Sequence, residues 1–289
     1  MDNIALNAAK KAAISNSVSD PQSKIGLALS GGVMRGPVHV GVLNVLEREG
    51  IPVDVVTGAS AGAIVGEFYC AGMELDYMQE LVMKIGWKNF ISPTISSKGF
   101  FSFGKLENWL IDLVTDLHFC DLNRQPFAVV ATDLEKGKPV VFTKGSIAPA
   151  VRASCSVPGV IVPAEIDGKL LGDGGVSNNL PVSAATALGA DYVIGVDLFI
   201  PAVRRVFGPL GFGFAALETL VRRSGGGDDI ADCLIAPDLA GKSYINPDKA
   251  ELMKLGEKAT ETKLPEIFAA LESRRLRASV VRFPYLPKS

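Results

Sequence analysis

The chain is poor in residues that shuttle protons or hold metals. Its 289 positions contain two histidines, His39 and His118, and four cysteines, Cys70, Cys120, Cys155 and Cys233. The cysteines are widely scattered, with no CxxC pair of the kind that binds zinc or cycles between dithiol and disulfide. Reduced and mostly buried thiols are expected, and neither a metal nor a cofactor site is spelled out. An excess of positive charge is also missing: 29 basic against 31 acidic residues give a net charge of −2. Binding to DNA or RNA rests on neutralising phosphates, so nucleic acid is excluded as an expected partner. Long hydrophobic runs are absent too. The most apolar stretch, Val206 to Leu220, contains glycine and proline and is bounded by Arg204, Arg205 and Arg222, so it does not read as a spanning helix. The N-terminal MDNIALNAAKKAAISNSVSDPQSK has no continuous apolar core and carries Lys10 and Lys11 in its middle, unlike a signal peptide. The expected location is cytoplasmic, either free or peripheral at a membrane.

What is present suffices for a folded protein, since 48% of residues are hydrophobic and 21% charged. Residues 1–23 read as a polar tail or peripheral helix, and 24–289 as one domain. Ile25-Gly26-Leu27-Ala28-Leu29 is a short apolar run ending in glycines, as expected of a strand buried on both faces. Pro37 opens a helix whose Val38, Val42, Val45 and Leu46 share one face, and Gly50 ends it. A second strand, Val53 to Thr57, and an apolar helix to about Gly72 follow. Strand, helix, strand, helix in succession predicts a parallel sheet with helices on its faces. Further strands are expected at Phe127 to Thr132, Val140 to Thr143, Val160 to Ile166, Tyr192 to Val196 and Leu234 to Ala236. Asp167-Gly168 is a two-residue hairpin turn, which sends Lys169-Leu170-Leu171 back antiparallel and delivers Asp173 at its end.

Three short segments carry chemistry. Gly58-Ala59-Ser60-Ala61-Gly62 between a strand and a helix has the pattern of a nucleophile elbow, in which a sharp turn exposes a serine oxygen above the sheet. The glycines leave space for neighbouring backbone; tight packing without chemistry is the plainer reading of the same letters. Gly31-Gly32-Val33-Met34-Arg35-Gly36 also joins a strand to a helix and presents backbone N–H groups. It lacks the third-position glycine of a dinucleotide fingerprint and the Gly-Lys-Ser/Thr of a P-loop, so nucleotides are disfavoured. An acyl carbonyl oxygen is the remaining anion to consider. The third segment is Leu171-Gly172-Asp173-Gly174-Gly175. An elbow hydrolase with a histidine base places it after the acid, and neither histidine follows Asp173. His39 reads instead as a buried, hydrogen-bonded imidazole and His118 as an incidental polar residue. An aspartate within hydrogen-bond reach of the serine can act as the base directly if burial raises its pKa, so Asp173 is expected to be buried.

Together these segments, with Ala153-Ser154-Cys155-Ser156-Val157-Pro158-Gly159 between them, resemble the patatin-like phospholipases in family order. The match runs from Ile25 to about Leu198, and more faintly through ELMKLGEKA near residue 255. The resemblance implies a three-layer αβα sandwich with a mostly parallel central sheet, and a lipid acyl hydrolase of phospholipase A, lysophospholipase or lipid esterase type. It further implies Ser60 as nucleophile, Asp173 as base, an acyl-enzyme intermediate, and N–H groups of Gly31, Gly32 and Val33 as an oxyanion hole. Arg35, Gly58, Gly62 and Gly174 would support them; the substrate would be a lipid ester, and no cofactor or metal is implied. Val33 departs from the pattern, since glycine is frequent there and a β-branched residue does not adopt positive φ cheaply. A non-catalytic lipid-binding protein and an acyltransferase using the same dyad are the alternatives. Two segments stand outside the regular pattern: the aromatic stretch Phe90 to Phe103 and the apolar, basic residues 201–229. Each is expected to be either a lid or membrane-docking surface, or an ordinary buried contact.

Overall fold

A computed structural model describes residues 23–199, 216 and 218–280, with side chains described as far as 273. The proposed N-terminal tail, apart from Ser23, and residues 201–215 of the second irregular segment lie outside the described residues. The centre of the molecule is one sheet. Five strands run parallel in the order β10 (Cys233–Ile235), β9 (Tyr192–Val196), β1 (Ile25–Leu29), β2 (Val55–Ala59) and β5 (Phe127–Asp133). Antiparallel strands β6 (Lys138–Phe142), β8 (Lys169–Gly172) and β7 (Ala164–Ile166) complete it. A separate two-residue ribbon pairs β3 (Ser92–Pro93) with β4 (Phe101–Ser102).

The alternation of side chains along β1 divides the core. Ile25, Leu27 and Leu29 belong to the larger cluster, which also takes residues of α1 (Pro37–Arg48), α2 (Ala61–Cys70), α3 (Leu75–Lys84), α4 (Gly104–Val114), α5 (Ile147–Ser154) and α7 (Lys249–Val280). Ala28 faces the other side, where Val55 and Val193 meet Val182 and Ala185 of α6 (Val182–Ala187). Small residues set the spacing on that side, since a Cβ on Gly26 would fall 2.7 Å from the Ala190 Cβ. The result is helix, sheet and helix in three layers, mostly parallel at the centre, as the sequence predicts. The ELMKLGEKA segment lies in α7, which crosses α1 at two glycines. A Cβ on Gly41 would reach 2.1 Å from the Met253 carbonyl oxygen, and one on Gly256 would reach 2.3 Å from that of Val38.

Most expected strands are found within one or two residues of their place. The exception is Val160 to Ile166, where the strand begins at Ala164. Pro163 limits pairing before it, and the backbone at Val160–Val162 is engaged elsewhere: the Phe100 and Phe101 amides both donate to Val160 O, and the Val162 amide donates to Phe101 O. Asp167 and Gly168 both have positive φ, 51° and 69°, as a type I′ hairpin turn requires.

Strand pairing brings Asp173 toward Ser60. β5 pairs with β2 as far as Val130 and with β8 from Thr132, while β6 occupies the opposite edge from Val129 to Asp133. β8 therefore continues the edge that β2 leaves. The residue after β8 is Asp173, and the residue after β2 is Ser60.

Candidate active site

The site lies at the C-terminal ends of β1, β2 and β9, where the strand order reverses around β1 and open α/β sheets form their crevice. Ser60 sits at φ 51° and ψ −120°, a turn sharp enough to lift its side chain off the sheet. Crowding explains the flanking glycines. A Cβ on Gly58 would fall 2.5 Å from the Gly62 carbonyl oxygen, and one on Gly62 would fall 2.2 Å from that of Leu29. The elbow is held from below by Ser154, whose buried hydroxyl accepts the Ser60 N–H at 2.8 Å and donates to Val130 O at 2.5 Å.

Asp173 is 8% exposed and is fixed from several sides. Its N–H donates to Ser156 O at 2.8 Å, its carbonyl accepts the Thr132 hydroxyl at 2.7 Å, and its Oδ1 accepts the Gly175 N–H at 2.8 Å. Gly174 has to be glycine, because a Cβ there would meet Val130 O at 2.0 Å. Burial raises the carboxyl pKa to about 6, against the nearby Ser60 hydroxyl and the Gly175 N–H, which lower it. The Ser60 hydroxyl also contacts the Cys155 thiol, whose pKa is pushed up first by burial and then by the Asp173 charge.

The glycine loop faces this pair. Gly31 lies against Ser60, with room for a Cβ only 3.2 Å from the serine Cβ. Its N–H, one of three expected donors, is already used: it donates to Asn179 Oδ1 at 3.2 Å. The amides of Gly32 and Val33 have no partner among the described residues. Val33 takes φ 54°, so the valine does occupy the left-handed backbone that its branching disfavours. Arg35 is 2% exposed and braces the loop. It donates to Leu198 O at 3.1 Å and Lys242 O at 2.6 Å, and lies 3.5 Å over the Tyr244 ring. The Met34 N–H donates to Tyr244 O, and the Tyr244 hydroxyl bonds to Glu218.

Neither histidine joins the site as a base. His39 is fully buried one turn into α1, where its Nε2–H donates to Ser30 O at 2.9 Å and burial lowers its pKa to about 4. His118 is exposed and bridges by its backbone to Ser146. The sequence reading missed Ser154 and Asn179. Ser154 lies in a segment noted only as characteristic of the family; Asn179 follows the Asp-Gly-Gly run by four positions and carried no separate signal.

Ser60 opens into an apolar cleft with about 390 Å³ of free space, its solvent mouth included, walled by Val33, Ile64, Trp87, Phe90, Phe103 and Leu106. A second cleft, with about 510 Å³, shares Val33, Met34, Ala61, Ile64 and Phe90 with the first and runs on to Met78, Val82 and Lys249. The aromatic stretch therefore divides. Phe90 and Phe103 are buried wall residues in edge contact with Trp109 and Trp87, whereas Phe100 is exposed. The described end of residues 201–229 packs near the aspartate turn, where the Ser224 hydroxyl donates to Gly175 O and accepts the Asn179 N–H. No helix among the described residues is long and apolar enough to cross a membrane.

Comparison with known proteins agrees with this architecture. An uncharacterised NTE family protein of Mycobacterium tuberculosis is 36% identical over 177 residues, which are 61% of this chain and 49% of that protein. The neuropathy target esterase of Drosophila melanogaster is 32% identical over 184 residues, covering 61% of this chain and 13% of that one. A lysophospholipase of Aspergillus fumigatus is 31% identical over 180 residues, covering 60% and 12%. The chain thus spans about half the length of the mycobacterial relative and much less of the others. The crystal structure of VipD from Legionella pneumophila shares the fold at a TM-score of 0.56 and 16% identity, over 86% of this chain and 68% of that one. The family model for patatin-like phospholipases matches residues 27–186, a span holding the glycine loop, the elbow and the aspartate turn, and the chain belongs to that family.

Proposed function

We propose that this protein is a lipid acyl hydrolase that cleaves carboxylic esters with a Ser60–Asp173 dyad through an acyl-enzyme. The observation that carries the reading is the placement of Ser60 at the end of β2 beside the buried Asp173 carboxyl, whose pKa burial raises to about 6, and beside the Gly32 and Val33 amides, which have no partner among the described residues. Ser60 Oγ attacks the ester carbonyl carbon, and its proton passes to Asp173. The N–H groups of Gly32 and Val33 stabilise the negative oxygen of the tetrahedral intermediate. When the C–O bond breaks, Asp173 returns the proton to the departing alcohol and the acyl group stays on Ser60. Water then attacks the acyl-enzyme; Asp173 takes its proton and gives it back to Ser60 as the fatty acid leaves. Gly31, its amide bonded to Asn179, shapes the loop and is not a donor in this scheme. The apolar walls around Ser60 suit an acyl chain, which favours lipid esters over small polar ones.

Release of fatty acid from phosphatidylcholine and lysophosphatidylcholine tests the proposal. The native chain should hydrolyse at least one of them, and Ser60→Ala and Asp173→Asn should not, with circular dichroism unchanged. Retained turnover in either variant removes that residue from its role. A fluorophosphonate that leaves Ser60 unlabelled favours a lipid-binding protein, and acylated glycerol formed when glycerol is supplied favours an acyltransferase.

A further inference from the structure

The loop between Phe90 and Phe103 carries two large apolar side chains that stand exposed among the described residues. Ile95 is 106% exposed and Phe100 71%, on a loop closed by the β3–β4 ribbon. This is no loose excursion. The Thr94 N–H donates to Phe100 O across the loop, and a Cβ on Gly99 would fall 2.6 Å from the Val162 nitrogen. The two side chains are thus held outward on a fixed support.

That support is part of the wall of the Ser60 cleft. Trp87 and Phe90 enter the wall just before the loop and Phe103 and Leu106 just after it, while Val157 lines the cleft shortly before the Val160–Val162 backbone that holds the loop. Charge along this stretch of the chain is of one sign. From Leu81 to Leu106 the chain has four lysines and no acidic residue. Lys84 pairs with Glu80, but Lys88, Lys98 and Lys105 are exposed and make no ion pair among the described residues; Glu107, the next acid along, is paired with Arg152.

We propose that this loop docks the protein on an anionic lipid bilayer, with Ile95 and Phe100 entering the interface and the three lysines meeting lipid phosphates. Exposed apolar side chains with unpaired lysines along the same stretch of chain are the chemistry that binds such a surface, and the lysine stems let the ammonium groups stay at headgroup level. Docking there sets the mouth of the Ser60 cleft against the bilayer. The inference deepens the hydrolase reading, because a lipid ester would then enter the cleft without crossing water.

Sedimentation of the full chain with vesicles tests it. The native protein should pellet with phosphatidylcholine–phosphatidylglycerol vesicles, less with phosphatidylcholine alone, and be released as salt is raised. The Ile95→Ser/Phe100→Ser variant should bind at least about tenfold more weakly. Lys88→Glu/Lys98→Glu/Lys105→Glu should lose about fivefold or more per lysine on the mixed vesicles. Hydrolysis of a water-soluble short-chain ester should be unchanged in both, which also reports that the fold is intact. Absence of the native protein from the vesicle pellet, undiminished pelleting of Ile95→Ser/Phe100→Ser, or pelleting without vesicles through self-association would each overturn the proposal. A protein that pellets with vesicles yet hydrolyses no ester leaves docking standing and removes the hydrolase reading.

Discussion

Replacing Asp173 with asparagine should make the protein more stable as well as inactive, by an amount that depends on pH. Burial raises this carboxyl from its ordinary 3.8 to about 6, so the folded protein favours its neutral form. The associated stability is fully present below about 3.8 and is lost as pH rises through about 6. At roughly 1.4 kcal/mol per pH interval between those two values, ionised Asp173 costs the native state about 3 kcal/mol at pH 8. Asparagine keeps an acceptor for the Gly175 N–H and carries no charge. For a chain of this size, about 3 kcal/mol corresponds to about 6 to 12 °C in Tm. Thermal and urea unfolding of both proteins at pH 4 and pH 8 should show nearly equal stability at the lower pH, and the variant ahead by that margin at the higher. Parallel stability curves at both values would refute the reasoning, because they would mean that Asp173 is not desolvated in the folded state.

Other consequences follow from the same geometry. The base must be ionised, so kcat/KM should rise with pH to a plateau with an apparent pKa of about 6, whereas a flat profile between pH 5 and pH 8 contradicts that role. Ser154→Ala removes the acceptor of the Ser60 N–H and a donor to Val130 O, both buried; about 1 to 3 kcal/mol of stability and at least about tenfold in kcat should be lost. Native-like kcat in that variant would show that the elbow keeps its shape without the hydroxyl. Val33→Gly relieves a β-branched residue of φ 54° and keeps the amide, so hydrolysis should persist and stability rise by about 1 kcal/mol. A loss of stability would place the strain elsewhere.

The parts legible in the sequence are those where one local cause dominates. β1 and β9 fall at the residues expected because both are short, continuously apolar and bounded by turn residues. The Asp167-Gly168 turn is legible because few residue pairs accept positive φ twice in succession. Gly58, Gly62 and Gly174 stand where a single carbon would collide with a carbonyl, a necessity that leaves its mark in the letters. What escaped depends on distant partners. The Gly31 amide has the same letters around it whether or not Asn179, 148 positions away, accepts its hydrogen. Nothing local says that Ser154 will lie under Ser60, or that Val160–Val162 will pair with the aromatic loop instead of extending a strand. The aromatic stretch is similar: composition cannot separate Phe90 and Phe103, which wall the cleft, from Phe100, which faces out.

Trapping the covalent intermediate bears most directly on the mechanism. The protein would be mixed with a nitrophenyl ester of a fatty acid, quenched in acid during turnover, and digested for mass spectrometry. The account predicts one acyl group on the peptide containing Ser60, formed in a burst with nitrophenol and absent from Asp173→Asn. Steady release of nitrophenol with Ser60 unmodified, or an acyl group carried by Cys155 instead, would contradict it.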